Sequence, residues 1–371
     1  MLAALRRDAG AAGAQRVAAE RVTDWDAVAR FATGHAVEWW VVRALPGDGA
    51  ASVVRAALND AVRAVALSGM AGARQLTVLC EVLDDAGVRA VAYKGPALSA
   101  DVHGDLGARR FADLDLLIAE VDRPRALAAL RAVGYASPSG YTEREERLYS
   151  RWEGVAQLSR GNDWPVELHW RCQAPRYGGP QDPAAVVARA RPCALGGGAV
   201  LVPSPEDLGV LLALHGVKHV WKSLLWLADF VAAVSRPGFD WPLFAARADE
   251  WNVRRAVHYA LLVAHELTAL DMPPALLAAA RADAHATCLA RAVPMQLSRE
   301  PGAPDLWKES TPRYDLQWLE GTWARARYLA LAAALPTPQE RKVAPLPDAL
   351  LPLAYPVRAL RLMGRAFRRR A

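Results

Sequence analysis

Two kinds of hydrophobic pattern alternate along the chain, and each predicts a different kind of structure. Ala- and Leu-rich segments with polar residues at helical spacing cover residues 15–45 and 51–84. They predict a helical lead-in that is divided by a turn at Pro46-Gly47-Asp48-Gly49. Asp85-Ala86-Gly87 then predicts the end of the second helical segment, because glycine is favoured just beyond a helix.

The helical pattern returns at Ser204. Ser204 followed by Pro205 is a typical helix start, because serine caps the helix and proline suits its first position. Pro-rich connectors over 298–312 and 336–352 interrupt this part of the chain. The predicted helices cover 205–219, 221–235, 241–250 and 252–270, with further helices within 273–297 and 315–335.

The segment between these helical parts has short apolar runs, which are typical of strands. A helix is expected from Asp122, with Pro124 in its first turn. Strands mixed with a few helices, rather than regular strand–helix–strand repeats, predict an α+β fold with a small mixed sheet. The predicted strands are VRAVAY (88–93), LDLLI (114–118), the hairpin GVAQLSR (154–160) and PVELHW (165–170) around Gly161-Asn162-Asp163, and AVLVPS (199–204).

These changes of pattern divide the chain into predicted parts. They are an N-terminal helical region (1–86), a mixed-sheet core (87–203), a helical domain (204–335), and a Pro-rich linker with a basic tail (336–371). Of the 371 residues, 53% are hydrophobic and 23% are charged. This composition supports sizeable cores and excludes a disordered chain.

The net charge of +6 comes from the tail alone. The chain has 45 Lys and Arg against 39 Asp and Glu, and residues 358–371 hold six arginines without an acidic residue. The other residues therefore balance, which argues against a general nucleic-acid-binding protein. The tail RALRLMGRAFRRR predicts a basic amphipathic helix that either contacts an acidic membrane surface, RNA or a partner protein, or is a solvated end.

The cysteines and the apolar stretches bear on the compartment. The four cysteines lie far apart and form no CxxC pair, which favours reduced thiols over a disulfide framework. The first residues lack the apolar core of a signal peptide, and the most apolar stretches are too short or too polar to cross a bilayer. We therefore expect a cytoplasmic protein.

Two carboxylates near the start of the LDLLI run give the first candidate for chemistry. Asp113 and Asp115 are separated by one residue, so on a strand their side chains point to the same face. Like charges this close repel unless a cation lies between them, and Mg²⁺ prefers oxygen ligands. Glu167, in the middle of an apolar strand, is the best third carboxylate. Two Mg²⁺ ions about 3.5–4 Å apart would hold a nucleophile and a leaving group for displacement at phosphorus.

Basic residues before the carboxylates fit the phosphate side of such a site. Lys94-Gly95 forms a turn before a predicted helix, and Arg109-Arg110 adds positive charge for a triphosphate. His169 lies two residues beyond Glu167, on the same face of a regular strand, where it could orient the acceptor or Glu167. Each of these features also has a plain structural interpretation: a solvated turn for the aspartates, an exposed edge strand for Glu167 and His169, and a simple strand-to-helix turn for Lys94-Gly95.

A polar stripe runs along the otherwise apolar helices after Ser204. His215, His219 and Lys222 are spaced at i, i+4 and i+7 on one helical face, and Lys218 and Asp229 accompany them. A zinc site would need a third ligand, and the sequence has no H-E-x-x-H motif. The stripe predicts either core-edge histidines that face an interdomain cleft or the lining of an acceptor or base pocket.

These residues together resemble a known signature. KGPALSADVHGDLGARRFADLDLLI is similar to the DNA polymerase β-like nucleotidyltransferase superfamily, and most of all to a little-characterised bacterial branch that reads Lys-Gly-x-x-Leu, then Arg, then Asp-x-Asp-Leu-Leu. The resemblance covers about residues 75–270. Its later matches are Glu167-Leu168-His169-Trp170, His215 and His219, and Leu225-Trp226-Leu227-Ala228-Asp229.

The resemblance implies a fold, a reaction and a set of roles. Asp113, Asp115 and Glu167 would be the metal triad for Mg²⁺ or Mn²⁺, with Lys94, Gly95 and the Arg109-Arg110 pair on the nucleotide side. A nucleoside monophosphate would pass from a nucleoside triphosphate (NTP) to a hydroxyl or phosphate of a small molecule or peptide, with release of pyrophosphate. His169, His215, His219, Lys222 and Asp229 would face the acceptor or cleft.

The chain also departs from the superfamily pattern. The usual Gly-Ser turn is Gly95-Pro96, which lacks one hydroxyl and one N–H donor for the triphosphate, and the gap to the aspartates is wider than usual. Members of this branch are often encoded beside genes for modified peptide natural products, which suggests a tailoring or accessory role. The alternatives are a catalytically silent accessory protein that binds a nucleotide or peptide, and a tRNA-modifying toxin, which the neutral body of the chain disfavours.

Overall fold

The computed structural model describes residues 2–5, 11–45, 49–137, 140–178, 182–299 and 311–368. The predicted turn at Pro46-Gly47-Asp48 and residues 300–310 of the first predicted connector lie outside the described residues. The same holds for residues 369–371 of the predicted basic tail and for the side chains from Arg365 onward.

The N-terminal part is helical, as predicted. The segment 15–45 contains the end of a first helix and two further helices; Asp24 caps the second by accepting a hydrogen bond from the Ala27 N–H at 2.8 Å. The next helix ends at Asp85, and Gly87 follows with a φ of +69°, which confirms the predicted end. The helices are α1 (Ala11–Glu20), α2 (Trp25–Gly34), α3 (Glu38–Ala44) and α4 (Gly49–Asp85).

The middle part forms a mixed sheet, which confirms the predicted α+β class. The strands are β1 (Val91–Ala92), β2 (Leu114–Leu117), β3 (Val155–Leu158), β4 (Val166–His169), β5 (Arg191–Leu195) and β6 (Gly198–Val202). In spatial order they are β3-β4-β2-β1-β6-β5. β1 pairs in parallel with β6 and β2 with β4, and the other neighbours are antiparallel. The β3–β4 hairpin forms as predicted.

One strand was missing from the sequence prediction. β5 pairs with β6 through the turn at Gly196-Gly197. Pro192 within RPCAL argues against a strand in the middle of a sheet, but β5 lies at the edge, where a missing N–H donor is tolerated. The short helices of this part are α5 (Gly95–Leu98), which continues as a π-helix over Ser99–His103, α6 (Arg123–Ala132), α7 (Glu143–Glu153) and α8 (Ala184–Ala188).

The two faces of the sheet have different environments, because side chains alternate along each strand. On one face Leu114, Leu116 and Leu168 are fully buried and belong to one apolar core with residues of α4 and α6. Each such leucine contributes roughly 1.5–3 kcal/mol when it is removed from water. The opposite face presents Asp115 and Glu167, which leaves polar side chains for a site.

Among the helices after Ser204, those that contain Leu211 and Trp226 cover this polar face. Ser204 caps α9 by accepting a hydrogen bond from the Asp207 N–H at 3.3 Å, as predicted. Buried residues of α2 and α3, such as Ala32 and Trp40, share one apolar core with these helices. The predicted domain boundaries stay a prediction. The helices are α9 (Pro205–Lys218), α10 (Leu224–Val234), α11 (Trp241–Glu250), α12 (Arg254–Thr268), α13 (Pro274–Ala282), α14 (Ala284–Leu297), α15 (Thr311–Trp318), α16 (Gly321–Ala334), α17 (Pro338–Val343) and α18 (Ala354–Arg368).

The predicted tail helix is α18. Arg358 is buried and lies 3.3 Å from Glu340, and Arg361 donates to the same carboxylate at 2.6 Å. These two arginines therefore hold α18 against α17. Contact of the tail with an acidic surface stays a prediction. Among the described helices, none is both long enough and apolar enough to cross a bilayer.

Candidate active site

The pairing of β2 with β4 brings the predicted acidic residues together. The strands run parallel with Asp115 beside Glu167 and Leu117 beside His169. Neighbouring residues in a sheet point to the same face, so Asp115 and Glu167 project together, and His169 follows two residues later on that face. Asp113 lies just before β2 and, like Asp115, lines the cavity described next.

A cavity of about 570 Å³ lies over this face of the sheet. This is within the usual size of small-molecule sites, about 300–1,000 Å³. Its opposite wall comes from α9 and α10 and includes Leu211, Leu214 and Trp226. The charged residues that line it are Lys94, Arg109, Arg110, Arg171 and Lys218 among the bases and Asp113, Asp115, Glu153 and Glu167 among the acids.

Asp115 is the most buried of the acidic residues that line the cavity, with 2% of its surface exposed. Its Oδ1 lies 2.5 Å from Lys94 Nζ and 3.1 Å from His169 Nε2. Burial opposes ionisation, but the charge of Lys94 and the hydrogen bond with His169 hold the pKa of Asp115 well below its usual value. Asp115 is therefore a permanent negative charge at the floor of the cavity.

Glu167 is held by neighbours on both sides. Gln157, its partner across the β3–β4 pair, donates a hydrogen bond to Oε1 at 2.9 Å, and His169 Nε2 lies 3.3 Å from Oε2. Burial raises the pKa of Glu167, but these contacts outweigh it and lower the pKa to about 2. Burial likewise lowers the pKa of His169, while its hydrogen bonds to Asp115 and Glu167 raise it above the usual value.

The pKa of Asp113 is raised, in contrast to the lowered pKa values of Asp115 and Glu167. Burial and the charges of Asp115 and Glu167 raise its pKa to about 6, and the positive charges of Lys94 and Arg109 only partly oppose this. The turn at Gly95 packs close to it: Gly95 has a φ of +59°, and a Cβ there would lie 3.4 Å from the Asp113 carbonyl oxygen. Burial is the largest cause of this shift and the neighbouring carboxylates add to it, so Asp113 binds a proton more readily than an ordinary aspartate.

The donor set at this position fits a divalent cation. Ligand atoms of Asp115, Glu167 and His169 all lie within 4.8 Å of one another. Carboxylate oxygens suit Mg²⁺ and Mn²⁺, and an imidazole nitrogen adds a donor that transition metals accept. Asp113, predicted as a ligand, is not one of these three, and His169, predicted to orient the acceptor or Glu167, is one of them.

The predicted nucleotide-side arginines line the cavity but have structural partners. Arg109 donates from Nε to Asp229 Oδ2 at 2.9 Å, and Arg110 forms an ion pair with Glu38 of α3. Asp229 is 1% exposed, and His103 Nε2 lies 2.9 Å from its Oδ1. Asp229, predicted to face the cleft, does not line the cavity; it fixes the position of Arg109 from behind.

The predicted histidine stripe lies on the wall opposite the sheet. The rings of His215, His219 and Trp226 pack together with centroids 4.7–5.2 Å apart. Burial and the nearby Lys94 charge lower the pKa of His215 well below its usual value, so its imidazole is neutral. Lys218 lines the cavity and lies 4.0 Å from Glu153, whereas Lys222 is not among the lining residues.

Sequence reasoning missed several residues of the site. Tyr93 is buried at the floor, and its ring packs edge-on against His169 at 5.6 Å. Gln157 could have been found, because a hairpin centred on Asn162 pairs it with Glu167. Trp318, which lines the cavity from α15, carries no local signal that connects it with residues near 115.

Comparison with known proteins gives one match. A family model described as an uncharacterised nucleotidyltransferase matches residues 21–269, which is more than half of the chain. The match includes the acidic cluster, Lys94, the arginine pair and the histidine stripe. Neither a curated protein nor a solved structure matches the chain significantly.

Proposed function

Because the chain belongs to this family of nucleotidyltransferases, we propose that it is a metal-dependent enzyme that moves a nucleoside monophosphate from an NTP to an acceptor, with release of pyrophosphate. The acceptor is a hydroxyl or phosphate of a small molecule or peptide. One observation carries the proposal: the parallel register that places Asp115 beside Glu167 at the floor of a cavity large enough for a nucleotide.

Three carboxylates and one imidazole have the roles of cation ligands. Asp113, Asp115 and Glu167 would hold Mg²⁺ or Mn²⁺, with His169 as a further donor. A bound divalent ion would supply charge neutralisation at the phosphates and a lower pKa for an acceptor hydroxyl. Lys94 and the Arg109-Arg110 pair border the same cavity, where their charges favour a triphosphate.

The reaction balances as a displacement at the α-phosphorus. The acceptor oxygen forms a bond to this phosphorus, the bond to the bridging oxygen breaks, and pyrophosphate carries away the electron pair. The acceptor proton passes to a carboxylate. Glu167 is one candidate for this step, and Asp113 is a second, because its pKa of about 6 is closer to neutral pH.

The wall formed by α9 and α10 would bind the base or the acceptor. His215, His219 and Trp226 offer flat ring surfaces beside apolar leucines. Planar heterocycles stack on such surfaces. The histidine stripe therefore has a use in this proposal that does not require zinc.

The test measures transfer directly. Purified protein is incubated with Mg²⁺, each α-labelled NTP in turn and a fractionated metabolite and peptide extract, and mass spectrometry searches for a gain of one nucleotide with matching pyrophosphate. Asp113→Asn/Asp115→Asn should abolish the product and retain the folded circular dichroism spectrum. Asp60→Asn, an exposed acid paired with Arg63, is the matched control and should retain full activity. Full activity in the double variant would end the proposal.

A second candidate is a protein that binds a nucleotide without transferring it. The contact of Lys94 with Asp115 favours it, because the ammonium lies where a cation would bind. Calorimetric titration with each NTP and Mg²⁺ separates the two candidates: binding without product or pyrophosphate supports the silent protein.

A further inference from the structure

Lys94 has an unusual partner for a residue on the phosphate side of a site. Its Nζ lies 2.5 Å from Oδ1 of Asp115, a residue of the candidate donor set for the cation. Lys94 is 9% exposed and its ammonium also lies 5.1 Å from the Tyr93 ring centroid. The ammonium is thus held in the cluster rather than extended into the cavity.

The other basic side chains that line the cavity, within the described residues, differ from Lys94 in this respect. Arg109 pairs with Asp229, Arg110 with Glu38, Arg171 with Glu120 and Lys218 with Glu153. None of these four acids belongs to the donor set. Lys94 is therefore the basic residue whose position competes with a cation.

The competition has a clear physical basis. Asp115 Oδ1 already has Lys94 and His169 as neighbours, and a divalent ion beside the same oxygen would be repelled by the ammonium. A free ion must therefore displace a short, buried ion pair. A metal–triphosphate complex brings its own negative charge. When the Lys94 ammonium leaves Asp115, the triphosphate therefore gives it a new partner.

The Lys94 side chain suits such an exchange. It is a flexible four-carbon stem with a compact charge, and its backbone lies in the turn between β1 and α5, at the edge of the cavity. Arg109 is fixed by Asp229 and is less free to move.

We propose that Lys94 is the cation that this site exchanges for the divalent ion of an incoming metal–NTP complex. Lys94 neutralises Asp115 until the complex arrives and then pairs with the triphosphate. The inference rests on the proposed function. It follows that free metal binds weakly, and that nucleotide and metal strengthen each other's binding by the same factor.

The test is a Mn²⁺ titration of the full chain, followed by electron paramagnetic resonance, without nucleotide and with a non-hydrolysable ATP analogue. In the wild type, the analogue should strengthen Mn²⁺ binding at least tenfold. Lys94→Met removes the charge and keeps the length, so it should bind free Mn²⁺ at least tenfold more tightly and lose most of the effect of the analogue. Lys342→Met, at an exposed lysine of α17 that does not line the cavity, should behave as wild type.

Two further variants keep the test decisive. Lys94→Arg preserves the charge and should keep free Mn²⁺ binding weak; Lys94→Gln replaces Lys94→Met where the latter does not fold. Unchanged or weaker Mn²⁺ binding in the folded, uncharged variant overturns the inference. This titration needs no turnover, so its result is separate from the transfer assay: product formation with unchanged Mn²⁺ binding in Lys94→Met removes this inference and leaves the proposed function.

Discussion

Two buried carboxylates in this protein have the same kinds of partner. Asp115 contacts Lys94 and His169, and Asp229 contacts Arg109 and His103. In each group one carboxylate meets one basic side chain and one imidazole, at distances of 2.5–3.1 Å.

The surroundings of the two groups differ. Around Asp229 the His103 side chain is fully buried and packs edge-on against Trp40 at 5.0 Å. Around Asp115 two more carboxylates, Asp113 and Glu167, border the same cavity. A buried ion pair by itself is weak evidence for function, whereas excess charge of one sign beside a cavity marks a place where a ligand supplies the missing charge.

The largest expected effect comes from removing the charge of Asp229. Asp229→Asn leaves the Arg109 charge buried without a counter-ion, so the free energy of unfolding should fall by about 3–5 kcal/mol. Urea denaturation measures it. The exposed pair of Asp60 and Arg63 supplies the control, since Asp60→Asn should change stability by about 0.5 kcal/mol or less. A loss below about 1 kcal/mol for Asp229→Asn would show that the two groups do not differ as described.

Ligand binding beside Asp115 should stabilise the folded protein. Mg²⁺ with a non-hydrolysable NTP analogue at a hundred times its Kd should raise the free energy of unfolding by about 2.7 kcal/mol. Asp115→Asn should lose this increment, because it removes a carboxylate that contacts Lys94 and that we propose as a cation ligand. Thermal denaturation with and without the analogue measures the shift, and an equal shift in the variant would contradict the assignment.

Without metal, the ionised side chain of Asp113 should lower the free energy of unfolding. Its folded pKa of about 6 exceeds the ordinary value of 3.8, so the folded state binds more protons and stability falls as pH rises through this window. In EDTA, Asp113→Asn should therefore be more stable than wild type by roughly 1–3 kcal/mol at pH 8, and the gain should vanish near pH 4.

Asp115 supplies the matched comparison, because its pKa is depressed. Its stabilising contribution is present above the ordinary pKa and is lost at lower pH, so Asp115→Asn should be less stable than wild type at pH 8. Denaturation curves of Asp113→Asn and Asp115→Asn at pH 4 and pH 8 test both expectations. The same sign of change for Asp113→Asn and Asp115→Asn would contradict the charge distribution.

The smallest effect concerns the support of Glu167. Gln157→Ala removes the hydrogen bond to Oε1, and we expect metal affinity to fall by about tenfold or less, with little change in stability. Mn²⁺ titration in the presence of the ATP analogue measures it. Gln173→Ala, whose amide donates to the Gly178 carbonyl elsewhere in the cavity, should leave the affinity unchanged.

Local patterns determined much of the fold and part of the site. The period-two alternation of β2 and β4 put Asp113, Asp115 and Glu167 among the candidates, because one-residue spacing fixes which strand face a side chain occupies. Turn chemistry at Gly161-Asn162-Asp163 fixed the β3–β4 hairpin, and Ser204 fixed the start of α9. These features depend on neighbours a few residues apart, so the sequence by itself determines them.

Only the tertiary structure decided which strands and which charged residues pair with each other. Nothing local sets the parallel register of Asp115 with Glu167, since parallel strands are joined by long connections rather than by a turn. Asp229 reaches Arg109 across 120 positions of sequence, and Lys94 turns to Asp115 rather than to solvent. The physical reason is that electrostatic and packing energies depend on distance in space, and the folded chain brings these distant residues within contact.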